Sequence, residues 1–119
     1  MRTEITTDLA GVPVRAVVTC GALIEIAAHR DDFRAVLARC LGGNVGDIKA
    51  VLGATLRAAG EMKPAEIAAE VPRLIEEAGL AACGEFCVRL LQDAFDKAEQ
   101  SAGESPAPEE AATPPATDG

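Results

Sequence analysis

Tryptophan and tyrosine are absent from this 119-residue chain, phenylalanine occurs three times and histidine once. Its core must therefore come from Ala, Val, Leu and Ile, and it has no aromatic platform on which nucleic-acid bases could stack. Basic residues are also scarce, 11 against 19 acids, for a formal net charge of −8. Without surplus cations to neutralise phosphates, nucleic-acid binding is not expected. No apolar run approaches the ~20 residues of a membrane-spanning helix, and no basic stretch followed by an apolar block marks a secretory leader. The expectation is a cytoplasmic protein with neither nucleic acid nor membrane as partner.

What is present is enough for one domain. Hydrophobic residues make up 49% of the chain, and its length leaves little room for a second core. The composition shifts near residue 100. Residues 100–119 hold four acids (Glu104, Glu109, Glu110, Asp118), no base and four of the seven prolines. Nothing there can bury enough apolar surface to offset the entropy of ordering, so a folded domain over 1–99 and a disordered acidic Pro/Ala/Glu tail over 100–119 are expected.

The period of the apolar residues changes along the chain. Ile5, Thr7 and Leu9 alternate, and after Ala10-Gly11 so do Val12, Val14, Ala16 and Val18. This is the pattern of a β-hairpin, with Pro13 tolerable only on an edge or at a strand start. From Thr19, a candidate N-cap, the period becomes helical: Leu23, Ile26, Ala27, Phe33, Val36, Leu37, Cys40 and Leu41 recur at three and four. A break is expected at 29–32, with an aspartate capping the next segment, and Gly42-Gly43 should end the stretch.

Asn44 to Asp47 read as a turn and cap, and Ile48, Val51, Leu52, Thr55, Leu56 and Ala59 as one face of the following helix. Gly60 fits a left-handed helix terminator and Pro64 a first helical position. Ile67, Val71, Leu74, Ile75 and Ala78 continue the pattern, but Pro72 should kink or split that helix. After Gly79 a last helix is expected over about 80–99, striped by Phe86, Cys87, Leu90, Leu91, Ala94, Phe95 and Ala98. The fold class is therefore α+β: a short N-terminal hairpin followed by four or five short helices.

Residues capable of chemistry are few and scattered. Cys20, Cys40, Cys83 and Cys87 lack the paired tight spacing of a zinc site and read as small buried hydrophobes. His29 lies near a helix break without a nucleophile motif beside it. Gly42-Gly43-Asn44-Val45-Gly46-Asp47 lacks the Lys-Ser/Thr ending of a phosphate loop, and follows a helix where such a loop follows a strand. The acid pairs Asp31-Asp32 and Glu76-Glu77 are sequence neighbours, which do not face each other on a helix. No catalytic, cofactor-binding or metal-ligating residue is assigned, and no cofactor is expected. Ala59, Ala65, Ala68, Ala69, Ala81 and Ala82 suggest close apolar contacts. A core this small gains from a second copy or a partner, so a homo-oligomer or a binding protein is favoured over an enzyme.

The order of these elements, with Thr19-Cys20-Gly21-Ala22-Leu23-Ile24-Glu25 after the hairpin, then Asp47-Ile48-Lys49-Ala50-Val51-Leu52 leading to Leu56-Arg57-Ala58-Ala59-Gly60, then Pro64-Ala65-Glu66-Ile67 and Ile75-Glu76-Glu77-Ala78-Gly79-Leu80, resembles the small tail assembly chaperones of the gene transfer agent family, found in tailed-phage-like gene clusters. The resemblance spans roughly residues 2–97 and omits the tail. Two features depart from it: Glu61-Met62-Lys63 offers no Ser or Thr cap before Pro64, and Pro72 sits inside a helix.

The resemblance implies a non-enzymatic role: binding the tape measure protein and helping tail tube subunits assemble. It carries over no catalytic residue. Of the matched positions, Thr19 is expected to cap, Gly21 to allow close packing and Gly60 to end a helix, with Ala22, Leu23 and Glu25 also serving the fold. The partner-binding face is not identified from sequence. The alternative is a small helical adaptor or antitoxin-like regulator of a bacterial cell, whose low positive charge speaks against direct DNA contact.

Overall fold

The computed structural model describes residues 2–9 and 11–104. Strands β1 (Arg2–Leu9) and β2 (Val12–Thr19) are followed by helices α1 (Cys20–His29), α2 (Phe33–Leu41), α3 (Val45–Ala59), α4 (Pro64–Ala78) and α5 (Leu80–Glu104). The expected α+β class, hairpin first and helices after, is what the chain adopts.

The two strands pair antiparallel, with Thr3 opposite Val18, Ile5 opposite Ala16, Thr7 opposite Val14 and Leu9 opposite Val12. One face thus carries the whole alternating set, and Ile5, Leu9, Val14, Ala16 and Val18 are buried on it. In a two-stranded sheet both strands are edges, so Pro13 costs no ladder bond that the fold needs. The opposite face is partly covered too, since Val17 is fully buried. Arg15, also on that face, ties the hairpin to the end of α3. It pairs with Glu4 at 2.7 Å and Glu61 at 2.9 Å and donates to the Ala59 carbonyl at 3.2 Å. A cation there answers the negative end of the helix.

The starts of α1 to α4 each have a chemical reason. Thr19 Oγ1 accepts from the Ala22 amide at 3.1 Å, Asp32 from the Arg34 and Ala35 amides, and Asn44 from the Asp47 amide at 3.0 Å. Where no Ser or Thr precedes Pro64, the cap is supplied from inside the helix: Glu66 Oε1 accepts from the Lys63 amide at 2.7 Å. Gly60 ends α3 in the left-handed conformation at φ +73°. Gly79, at φ +93°, turns α4 directly into α5.

The centre of the fold is α3, which packs against β2, α1, α2, α4 and α5. Every residue from Asp47 to Leu56 is buried except Lys49 and Ala50. The remaining core comes from Ile26 of α1, Val36 and Cys40 of α2, Ile67, Val71 and Leu74 of α4, and Cys83, Phe86, Cys87, Leu90, Leu91 and Ala94 of α5.

Several expectations are corrected. α4 is one helix through Pro72. The proline costs about 3 kcal/mol, but Ile67, Val71 and Leu74 are buried and contribute about 1.5–3 kcal/mol each, so packing wins. Ala68, whose carbonyl loses its regular donor to Pro72, is exposed to water. The alanines do not form apolar contacts as a set: Ala65, Ala68, Ala69 and Ala81 are exposed, and Ala59 and Ala82 half-buried. They fall off the faces marked by Ile67, Val71 and Leu74 on α4 and by Cys83 and Cys87 on α5.

Gly21 is exposed, and a Cβ there would meet only Thr19 Oγ1 at 3.6 Å. The close approach is made instead by Gly84, where a Cβ would stand 2.6 Å from the Cys40 carbonyl oxygen and 3.4 Å from Ile48 Cδ1. Finally, α5 continues to Glu104 rather than ending at Glu99, so the expected boundary at 99/100 falls inside a helix. Residues 100–104 contain no proline, and adding residues to an existing helix needs no new nucleus. The rest of the expected tail, 105–119, lies outside the described residues.

Two predictions follow from this packing. Gly84→Ala should lower stability by about 1–3 kcal/mol, since backbone must move to admit the methyl group; an unchanged midpoint in urea would mean that α2 and α5 are not held this closely. Thr3 is 3% exposed and its hydroxyl has no hydrogen-bond partner among the described residues. Thr3→Val removes that buried polar atom at nearly constant shape, and should leave stability unchanged or raise it by about 1 kcal/mol in the same assay.

Candidate functional site

Three helix ends converge on one buried acid. Asp47 is the third residue of α3, and its side chain is 0% exposed. Arg30, just past the end of α1, reaches Oδ1 through Nε at 2.8 Å, and Arg39, in the last turn of α2, reaches Oδ2 at 2.5 Å. Arg39 also reaches Asp31 Oδ2 at 3.3 Å. Gly46 makes room for this arrangement, because a Cβ there would stand 2.7 Å from Arg30 Nη2. The glycine-rich stretch is thus more than helix punctuation: Gly43 turns the chain at φ +84° and Gly46 admits a guanidinium. The acidic pair beside it is divided in role, Asp31 pairing with Arg39 and Asp32 capping α2.

Burial pushes the Asp47 carboxyl up, but the hydrogen bonds from Arg39 and Arg30 outweigh it and hold the group below the usual carboxylate range. The same bond from Arg39 to Asp47 raises the Arg39 pKa. With both oxygens occupied by guanidinium donors, this carboxylate joins helices and is not set up to take a proton from a substrate.

A second ion pair, Arg57 with Glu25, links α3 to α1. Both residues belong to the motifs that carry the resemblance, as does Asp47. Those positions act at joints of the fold, in keeping with the capping by Thr19 and the left-handed Gly60.

The cysteines differ from one another. Cys40, Cys83 and Cys87 are buried, but Cys20 is exposed at the first position of α1, which corrects its reading as a buried hydrophobe. Cys87 Sγ donates to the Ile48 carbonyl at 3.8 Å and Cys83 Sγ to the Leu74 carbonyl at 3.5 Å. The neighbouring Cys87 thiol lowers the Cys40 pKa, while Cys40 and burial push Cys87 well up, and burial raises Cys83. Among the described residues no three His, Cys, Asp or Glu side chains form a group that could hold a metal ion. His29 is exposed at the end of α1. Nor is any helix among the described residues long and apolar enough to cross a membrane.

The surface offers grooves between helices. Between α2 and α5 a groove of about 310 Å³ is lined by Arg34, Leu37, Gln92 and Phe95, with the Arg34 guanidinium 5.2 Å from the Phe95 ring centre. Between α3 and α4 a second, of about 240 Å³, is lined by Lys49, Gly53, Arg57, Pro64, Ile67, Ala68, Val71 and Pro72. Sequence reasoning assigned neither, because each needs the packing of two helices. Leu41 and Ile24, each 68% exposed, and Val45, 48% exposed, add apolar surface beyond the needs of the core.

Compared with protein-family models, curated proteins and solved structures, the chain matches none.

The acid cluster yields its own prediction. Because the folded Asp47 carboxyl titrates below its unfolded value, its contribution is complete above about pH 4 and is lost as pH falls through the lower folded value. Asp47→Asn should cost about 2–3 kcal/mol at neutral pH, since charged hydrogen bonds are lost inside the fold. It should also flatten the loss of stability on acidification. Urea unfolding from pH 2 to 7 reads both, and a variant with the wild-type acid slope would remove Asp47 as its source.

Proposed function

We propose that this protein is a non-enzymatic tail assembly chaperone of a phage-like particle or gene transfer agent. In the cytoplasm it binds the tape measure protein and helps tail tube subunits assemble. The observation that carries this reading is the ordered motif run. The hairpin comes first, then Thr19 to Glu25 at the start of α1, and Asp47 to Leu52 and Leu56 to Gly60 along α3 and at its end.

The physical surface supports such a role. A tape measure chain is long and helical, and its apolar stripe would aggregate if left bare. An amphipathic helix docks by placing residues at i, i+3, i+4 and i+7 into an apolar groove between helices. Two grooves of that kind lie between α2 and α5 and between α3 and α4, and exposed Ile24, Leu41 and Val45 extend the available apolar area. Binding through such a surface uses area and shape, and asks for no reacting group.

The test is to express the tagged protein with its own gene neighbourhood, purify it and identify what accompanies it by mass spectrometry. A long helical tape measure protein, with or without a tail tube subunit, is the expected companion. Recovery of a toxin or transcriptional regulator with no tail protein would replace this reading with that of a small adaptor.

A further inference from the structure

We infer that the outer edge of β1 is a self-pairing surface: two copies of this chain join β1 to β1, antiparallel about a two-fold axis at Ile5, and make one four-stranded sheet from two hairpins. This pairing is independent of what else the protein binds.

Pro13 fixes which backbone groups the hairpin leaves free. Opposite residues in an antiparallel ladder alternate between hydrogen-bonded and non-bonded pairs. Asp8 stands opposite Pro13, which has no N–H to donate, so theirs is a non-bonded pair. Thr3, Ile5, Thr7 and Leu9 therefore direct their backbone groups to β2, while Arg2, Glu4, Thr6 and Asp8 turn theirs outward. Lys97 Nζ donates to the Arg2 carbonyl at 3.2 Å, as an outward carbonyl allows. Among the described residues these four backbone units make no other hydrogen bond.

The two edges of the sheet differ. β2 has Pro13 in its outward row, and α3 packs along it with Val17 buried. β1 runs for eight residues with neither proline nor bulge. An edge of that kind is a template for another strand. α5 packs against both strands and so lies under the hairpin. It leaves grooves of about 290 and 310 Å³ beside β1, one at Thr3 and Glu4 and the other at Thr7 and Asp8.

Charge selects a second copy as the occupant and sets its register. A second β1 brings the same outward row, so Arg2, Glu4, Thr6 and Asp8 must meet one another. With Ile5 opposite the partner's Ile5, Arg2 faces the partner's Asp8 and Glu4 faces the partner's Thr6, twice over by symmetry. Sliding the strands by two residues opposes Glu4 to the partner's Glu4 in one direction and to the partner's Asp8 in the other, like charges both times. Asp8 has no ion pair among the described residues, and Arg2 only an approach of 3.8 Å to Glu4.

The same register sets Thr3 opposite the partner's Thr7. Thr3 Oγ1 is buried with no hydrogen-bond partner among the described residues. Threonines opposite each other in a non-bonded pair stand close enough to bond through their hydroxyls. Pairing thus answers two charges and one buried hydroxyl of each copy. Because Pro13 and α3 close the other edge, assembly stops at two.

Sedimentation equilibrium of the full chain, from micromolar to millimolar concentration, tests this. The wild type should pass reversibly from monomer to dimer. Thr6→Pro removes an outward N–H and no bond within the hairpin, and should weaken the dimer at least tenfold. Asp8→Arg should also weaken it at least tenfold, by opposing the partner's Arg2, and adding Arg2→Asp to that variant should restore pairing. The charge variants decide the matter if Thr6→Pro does not fold. A wild type that stays monomeric throughout, or a dimer indifferent to the single variants, overturns the inference. So does a charge swap that leaves the Asp8→Arg defect in place, since the register is part of what is inferred.

Discussion

A carboxylate removed from water must be matched by positive charge at once, and the arrangement of the helices follows from where this chain meets that demand. Asp47 can be buried only if Arg30 and Arg39 both reach it. Arg30 sits where α1 ends and Arg39 where α2 ends, so satisfying the acid fixes both ends against the start of α3. The two guanidiniums keep partial exposure, 37% each, which lowers the cost of desolvating them. A buried ion pair of this kind adds little net stability compared with an apolar replacement. Its effect is to make misplacement of any of the three helix ends expensive.

Once α3 is anchored, the other contacts arrange themselves around it. Its buried residues, Ile48 and the run from Val51 to Leu56, present apolar surface toward the hairpin and α1, α4 and α5. Arg15 fastens β2 to its far end and Arg57 fastens α1 alongside. α2 and α5 close the bundle, and Gly84 lets them approach until the Cys40 carbonyl fills the space a side chain would need. With few aromatics to fill gaps, the chain obtains a dense core by bringing backbones together, and the three buried cysteines serve as compact core atoms within it.

Local signals in the sequence were legible and non-local ones were not. Alternation over residues 5–18 specified the hairpin and its buried face. Thr19, Asp32, Asn44 and Gly60 marked helix ends because capping depends on residues a few positions apart. Asp47 also looked like part of a cap, since nothing in its neighbours reveals that arginines 8 and 17 positions away will enclose it. Gly21 and Gly84 are equivalent as letters. Only the crossing of α2 and α5 decides which is pressed against backbone. Pro72 points to a kink or a split because its local cost is real, while the burial of Ile67, Val71 and Leu74 that outweighs it depends on the rest of the fold.

The grooves belong to the same non-local class, and the one between α3 and α4 shows how strain in a sequence can be reinterpreted once the fold is known. Gly53 costs its helix about 1 kcal/mol relative to alanine and Pro72 costs about 3 kcal/mol. Taken separately, each looks like an imperfection that packing tolerates. Yet Gly53, like Gly46, leaves room for a guanidinium: a Cβ there would stand 3.3 Å from Arg57 Nη1, and Arg57 joins α3 to Glu25 of α1. A protein marginal in size has little stability to give up without effect. The glycine is matched by an ion pair that fixes α1 against α3, and the proline by the burial of Ile67, Val71 and Leu74.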